Sequence, residues 1–226
     1  MTFVLAGKGA DGAVLIADRR VIDQHRLELV SDEHIKSVVV GDRYVLSFDG
    51  INSLWEGIPQ HVKDSLAEMA SSTFIDCLQA VSEGVRGVWK SYQSAIPDDL
   101  QFNVFVGGLR EGSSGPTRLY TVGQMGLTEE ITDFQCGGFA GLKSQNLVRL
   151  LWDSTLPVEQ LWGIGVFCCA QLSKFDLTVG GMPTVHLVKD DEGVEELTPS
   201  QIGAVYDRSF EATDRLRMLL VELLGS

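Results

Sequence analysis

The stretch Thr2-Phe-Val-Leu-Ala-Gly-Lys-Gly-Ala-Asp-Gly-Ala-Val-Leu-Ile-Ala-Asp-Arg-Arg-Val21 decides how the rest of the chain is read. Two apolar runs, Thr2 to Ala6 and Ala13 to Ala17, flank a segment from Gly7 to Gly12 in which glycines and Asp11 supply turn chemistry. That pattern predicts a β-hairpin whose second strand ends at Asp18-Arg19-Arg20. Gly7-Lys8-Gly9-Ala10-Asp11-Gly12 also matches the dinucleotide fingerprint letter by letter. It leads into a second strand, whereas a pyrophosphate site needs a helix N-terminus at that point, so the cofactor reading is rejected.

Working outward, strands are expected at 36–41 and 43–49, parted by Gly41-Asp42. Trp55, Ile58, Val62, Leu66 and Met69 recur at helical spacing and predict a helix over 53–70. Phe74, Leu78, Val81, Val85, Val88 and Trp89 predict a second one over 74–92, broken by Pro97. Strand character returns at 102–106 and 118–122 around the loop Glu111 to Pro116. The glycine-bearing segment Cys136 to Gly141 then leads into a helix near 143–153. Pro157 falls in the first turn of the next helix, which runs to about Phe175. A strand at 184–189, an acidic turn at 190–193 and a terminal helix from Ser200 follow, the last with Val205, Leu216, Leu219, Leu220 and Leu223 as apolar positions. Strands cluster instead of alternating singly with helices, which favours antiparallel sheets covered by helices over a doubly wound parallel sheet. No repeat, low-complexity tract or linker divides the chain, so residues 1–226 are read as a single α+β domain.

Composition narrows the function. Among 226 residues, 31 Asp and Glu outweigh 18 Lys and Arg, for a net charge of −13. Such a surface repels phosphate backbones and anionic lipid, so neither nucleic acid nor membrane is an expected partner. No apolar run reaches bilayer-spanning length and no basic segment precedes the first apolar run, so a signal peptide is not expected and the location is read as cytoplasmic. The cysteines at 77, 136, 168 and 169 lack zinc or staple spacing and read as reduced, mostly buried thiols. A thiol hydrolase using Cys168 or Cys169 is disfavoured, because both sit mid-helix among Val166, Phe167 and Ala170. The histidines at 25, 34, 61 and 186 have no ligand spacing, so neither metal nor cofactor is expected.

Thr2 is the candidate for carrying chemistry. If Met1 is removed, the hydroxyl and a free α-amine lie on one residue, and that amine, with a reference pKa of roughly 7.7–8.0, is a usable base near neutrality. A nearby cation keeps the amine neutral, and a carboxylate orients the cation. The opening stretch resembles the start of a mature β-type subunit of the proteasome-type N-terminal nucleophile hydrolases, without gaps. The resemblance resumes at Phe48-Asp-Gly50, Val104-Phe-Val-Gly-Gly108, Cys136-Gly-Gly-Phe-Ala-Gly141 and Asp176-Leu-Thr-Val-Gly-Gly-Met182. It implies a four-layer αββα sandwich of two antiparallel sheets between helix layers, and a threonine-type peptidase of a self-compartmentalising particle. Carried over residue by residue, Thr2 takes the nucleophile's place. Asp18 and Asp176 take the two acidic positions, and Arg20 takes that of a structural arginine.

Two departures follow from the same comparison. The family lysine falls within 31–38, where gap-free counting back from Gly50 selects Lys36 and the apolar pattern selects His34; strand alternation lets either point inward. The family serine corresponds to Gly138, and a later hydroxyl is replaced by Val179. The Gly137 and Gly138 amides are read as an oxyanion hole, since backbone donors need no side chain. The competing expectation is a non-catalytic ring subunit or scaffold, with Asp18 paired to Arg19 or Arg20 and Lys36 on a solvated edge. The resemblance further implies a ring-forming homo-oligomer contacting through the helices at 53–70 and 74–92, with peptide or protein as substrate. It leaves room for an ATPase partner that no segment announces. With only Met1 ahead of Thr2, autoproteolytic maturation of a longer precursor is not expected.

Overall fold

The computed structural model describes residues 2–23, 28–50, 52–69, 71–93 and 102–224. The opening hairpin forms from β1 (Val4–Gly9) and β2 (Gly12–Ala17), with Gly9 opposite Gly12, so that the turn is only Ala10-Asp11. The strands run further into the glycine segment than the sequence suggests, for a steric reason. A Cβ at Gly7 would stand 2.2 Å from the Trp152 ring, and one at Gly12 would stand 2.1 Å from the Val188 carbonyl oxygen. These glycines admit close neighbours to a packed strand, which is a different use from cradling phosphate.

Along the chain follow β3 (Val21–Asp23), β4 (Glu28–Ser31), β5 (Ser37–Val40), β6 (Tyr44–Phe48), α1 (Asn52–Trp55), α2 (Ile58–Ala67) and α3 (Phe74–Tyr92). Then come β7 (Asn103–Leu109), β8 (Thr117–Gly123), β9 (Thr128–Glu130), β10 (Phe134–Gly137), α4 (Phe139–Leu151), α5 (Val158–Phe175), β11 (Thr184–Lys189), β12 (Gly193–Glu196) and α6 (Pro199–Leu224). The first sheet has the order β10-β1-β2-β11-β12 and the second β5-β6-β7-β8-β9, with every pairing antiparallel; β3 and β4 form a separate two-stranded ribbon.

Alternation along β1 sets the layers. Phe3 and Leu5 pack with Val148, Leu161, Val166 and Ile202, under the helices α4, α5 and α6. Val4 and Ala6 face the other way, into a core shared with Val188 of the same sheet and with Val45, Phe105 and Leu119 of the second sheet. On that sheet's outer face Leu46 and Val104 meet Ile58, Val62, Val81 and Val85 of α2 and α3. The result is the expected α+β sandwich, helices–sheet–sheet–helices. With both faces of the inner strands covered, they are apolar at nearly every position, and each fully buried large side chain contributes about 1.5–3 kcal/mol. Polar contacts also cross the middle: Ser37 Oγ lies 2.6 Å from Ser47 Oγ and 3.0 Å from His186 Nδ1.

Several expectations are corrected. The helix over 53–70 is two, broken at Gly57, because Pro59 has no N–H to give and suits the first turn of a new helix. It ends at Ala67, leaving Met69 outside. The helix near 143–153 starts earlier, at Phe139, and is preceded by the short edge strand β10, which the sequence reading missed along with β3, β4, β9 and β12. The helix over 74–92 stands as expected, capped by Thr73 and Asp76 in a reciprocal capping box. Met1, His25 and Pro97 lie outside the described residues. No helix among the described residues is long and apolar enough to cross a membrane.

Candidate active site at the start of the first strand

Thr2 stands just ahead of β1 and is 1% exposed; its Oγ1 has no hydrogen-bond partner among the described residues. Next to it the backbone of Phe3 is clasped by Asp18. The Phe3 N–H donates to Asp18 Oδ1 at 2.9 Å, and the Asp18 N–H donates to the Phe3 carbonyl at 3.0 Å. Lys36 Nζ donates to the same Oδ1 at 2.8 Å and to the Arg20 carbonyl at 2.6 Å. The other carboxylate oxygen accepts from the amides of Arg20 at 3.2 Å and Gly180 at 3.3 Å. The Asp18 and Lys36 side chains are 0% and 1% exposed. Burial pushes Asp18 above and Lys36 below its ordinary range, while each partner's charge pulls the other way.

Lys36, not His34, therefore meets Asp18, and it does so in a buried pocket, not on a solvated edge. His34 lies against Trp55, with ring centroids 5.6 Å apart, and burial holds its imidazole below the ordinary range, with Lys36 adding to the effect. Arg20 does not pair with Asp18 through its side chain. Its guanidinium forks onto Asp32, Nε to Oδ1 at 2.6 Å and the terminal nitrogen to Oδ2 at 3.0 Å. Its plane covers Gly180, where a Cβ would stand 2.4 Å from the Arg20 Cζ.

Asp176 caps the end of α5 and touches the site at second hand. Its Oδ1 accepts from the Thr178 amide at 3.0 Å and the Thr178 hydroxyl at 2.6 Å, and its Oδ2 from Lys143 Nζ at 3.0 Å. Partial burial raises its pKa, but these bonds outweigh that and hold the carboxyl below its ordinary range. The turn it opens delivers Gly180 to Asp18. The hydroxyl missing at Val179 is present one residue earlier, on Thr178, and is tied to Asp176 rather than to Thr2.

The glycine pair departs most from expectation. Gly138 has φ +78°, and a Cβ there would fall 1.9 Å from the Thr2 carbonyl oxygen, which accounts for the absence of a serine at that position. Its N–H is already donated, at 2.8 Å, to Asp49 Oδ2, while Gly137 is paired with Val4 in the ladder between β1 and β10. Asp49 is the site residue that sequence reasoning missed. It is fully buried, accepts from both the backbone and the side-chain nitrogens of Asn103, and is pushed by desolvation up to about 6. The only signal was an acid immediately before Gly50 at the end of an apolar strand.

The thiols offer no rival nucleophile. Burial pushes Cys136 up to about 11, Cys168 up to about 12 and Cys169 well above its ordinary value. No cluster of three metal-ligating side chains occurs among the described residues.

The strand order and the layers define a four-layer αββα sandwich of two antiparallel sheets between helices. Solved structures carry the same fold. "Anbu (ancestral beta-subunit) from Yersinia bercovieri" superposes with a TM-score of 0.76 at 15% identity, covering 96% of each chain. A glycine mutant of Anbu from Hyphomicrobium sp. strain MC1 also superposes with a TM-score of 0.76, at 16% identity over 97% of each chain. No family model matches the sequence, and no curated protein matches it.

Proposed function

We propose that the chain is a subunit of a proteasome-like particle and acts as a threonine-type amidohydrolase on peptides or proteins. The observation that carries this reading is the buried Asp18–Lys36 pair, closed at 2.8 Å on the backbone of the residue next to Thr2. A surface ion pair stabilises little, and a buried one costs solvation for both charges; a pair kept buried beside Thr2 with both titrations shifted is the kind of arrangement that clusters at functional sites. With Met1 removed, the Thr2 amine accepts the proton of its own hydroxyl, directly or through a water. Oγ1 then attacks the carbonyl carbon. The amide C–N bond breaks with proton transfer to the leaving nitrogen, and an ester to Thr2 forms. Water hydrolyses that ester and regenerates the hydroxyl. The Lys36 charge disfavours protonation of the amine, and Asp18 holds Lys36 in place. Of the two glycines expected as oxyanion donors, Gly138 already gives its N–H to Asp49, which leaves the Gly137 amide as the proposed donor; Asp176 supports the turn that carries Gly180.

A second reading, a subunit that keeps the fold without the chemistry, is favoured by one specific feature: the Gly138 N–H faces Asp49 rather than a vacant site. The intact mass of the purified protein and its labelling by an epoxyketone or β-lactone separate the two. Loss of Met1 with an adduct that disappears in Thr2→Ala supports the enzyme, and a retained Met1 excludes it. We further propose that the chain assembles as a homo-oligomer through its outer helices. Light scattering tests this, and a monomer of 24.7 kDa is the result that rejects it. An ATPase partner and a cytoplasmic location belong to the same proposal.

A further inference from the structure

We propose that Asp49 is a positioning residue for Thr2: its carboxylate pulls the turn between β10 and α4 against the Thr2 carbonyl, and so sets where the nucleophilic hydroxyl stands. This rests on the reading of Thr2 as the nucleophile. Asp49 follows β6 in the second sheet, yet its side chain reaches the edge strand of the first. It is anchored at one end by Asn103 at the start of β7, through the backbone amide and through Nδ2 at 2.9 Å. At the other end it holds the Gly138 amide at 2.8 Å.

The turn is wedged between Asp49 and Thr2. A Cβ at Gly137 would stand 2.5 Å from Asp49 Oδ2 and 2.6 Å from the Phe105 ring, and a Cβ at Gly138 would strike the Thr2 carbonyl. Two consecutive glycines are what lets an acid on one side and the terminal strand on the other approach so closely. Any displacement of the turn is therefore passed to Thr2, because no slack side chain lies between them.

The carboxylate suits this task only when ionised. Its described partners are three N–H groups, and a proton on either oxygen would face a donor with no acceptor, costing one of the bonds. The groups facing it, Asn103 and Phe105 from β7 and Gly137 and Gly138 from β10 and the turn, carry no charge. Desolvation consequently dominates and moves its titration to about 6, into a range where activity is measured.

The test is the rate of covalent labelling of the full-length protein by a threonine-directed β-lactone, followed from about pH 4.5 to 8. Titration of the amine alone lowers the rate by about one log unit per pH unit on the acid side. The wild type is expected to steepen to about two log units per pH unit below the Asp49 titration. Asp49→Asn should keep the single slope throughout and label roughly tenfold to a hundredfold more slowly at pH 7.5. Parallel profiles and equal rates in the two proteins overturn the inference. If Asp49→Asn does not fold, the wild-type profile decides alone, and an unbroken single slope rejects the proposal. A wild type that has lost Met1 and still takes no label at any pH rejects the nucleophile reading itself, which is a different result.

Discussion

Two buried carboxylates stand on either side of the chain's first residues and are satisfied by different means. Asp18 has four hydrogen-bond donors, one of them the Lys36 ammonium. Asp49 has three, all neutral nitrogens of Asn103 and Gly138. An ammonium in contact answers a buried negative charge with a charge, at the cost of desolvating both groups. Amides answer it with dipoles and leave the desolvation of the carboxylate less fully offset. The first pocket is a closed electrostatic unit, while the second is a tether whose strength depends on pH.

The sharpest way to break that comparison is to remove what both pockets surround. Thr2→Ala is expected to lower covalent labelling and peptide hydrolysis by at least about a thousandfold, with the melting transition nearly unmoved. Retained activity would mean that neither acid serves a nucleophile.

Lys36→Met turns the Asp18 pocket into a version of the other, a buried acid held by amides alone. Unpairing one partner of a buried ion pair costs about 3–5 kcal/mol, so denaturant unfolding near pH 7.5 should show a loss of that order. The loss should shrink as pH falls, because the orphaned Asp18 takes up a proton. An unchanged midpoint would show that the pair contributes nothing.

Asp49 offers a comparison in the opposite sense. Its folded pKa of about 6 lies above its ordinary 3.8, so the folded state binds the proton more tightly than the unfolded one. The stabilisation from that proton is complete at low pH and is lost as pH rises through the folded value. The wild type should therefore lose about 3 kcal/mol relative to Asp49→Asn between about pH 3 and pH 7, read from denaturation curves of both. A constant difference would put Asp49 in a more polar setting than its neighbours suggest.

The smallest effect is expected at His34, which the apolar pattern made Lys36's rival. His34→Ala should change the labelling rate by less than about twofold, since the ring meets Trp55 and not Asp18. A larger loss would reopen the assignment of the cation.

The two pockets also differ in how far the sequence disclosed them. Asp18 and Lys36 were named through the resemblance, carried over position by position, while strand alternation by itself left Lys36 and His34 level. Asp49 was visible as a letter but not as a partner. Its donors come from residues 54 and 89 positions further along the chain. Nothing local indicates that an acid beside a glycine will be roofed by a second sheet. The split of the helix at Gly57 could have been read from Pro59, whereas β10 could not, being four residues long with a glycine at its end.

The order of apolar runs, turns and amphipathic stretches by itself determined antiparallel sheets covered by helices, with Thr2 at the start of the first strand, because burial of periodic apolar faces is a local property summed along the chain; the two-sheet sandwich came from the resemblance. Tertiary structure alone decided which cation meets Asp18 and that the glycine pair is filled by Asp49 and Thr2 rather than left open. Those outcomes depend on distances of a few ångströms between elements that meet only after the sheets have packed.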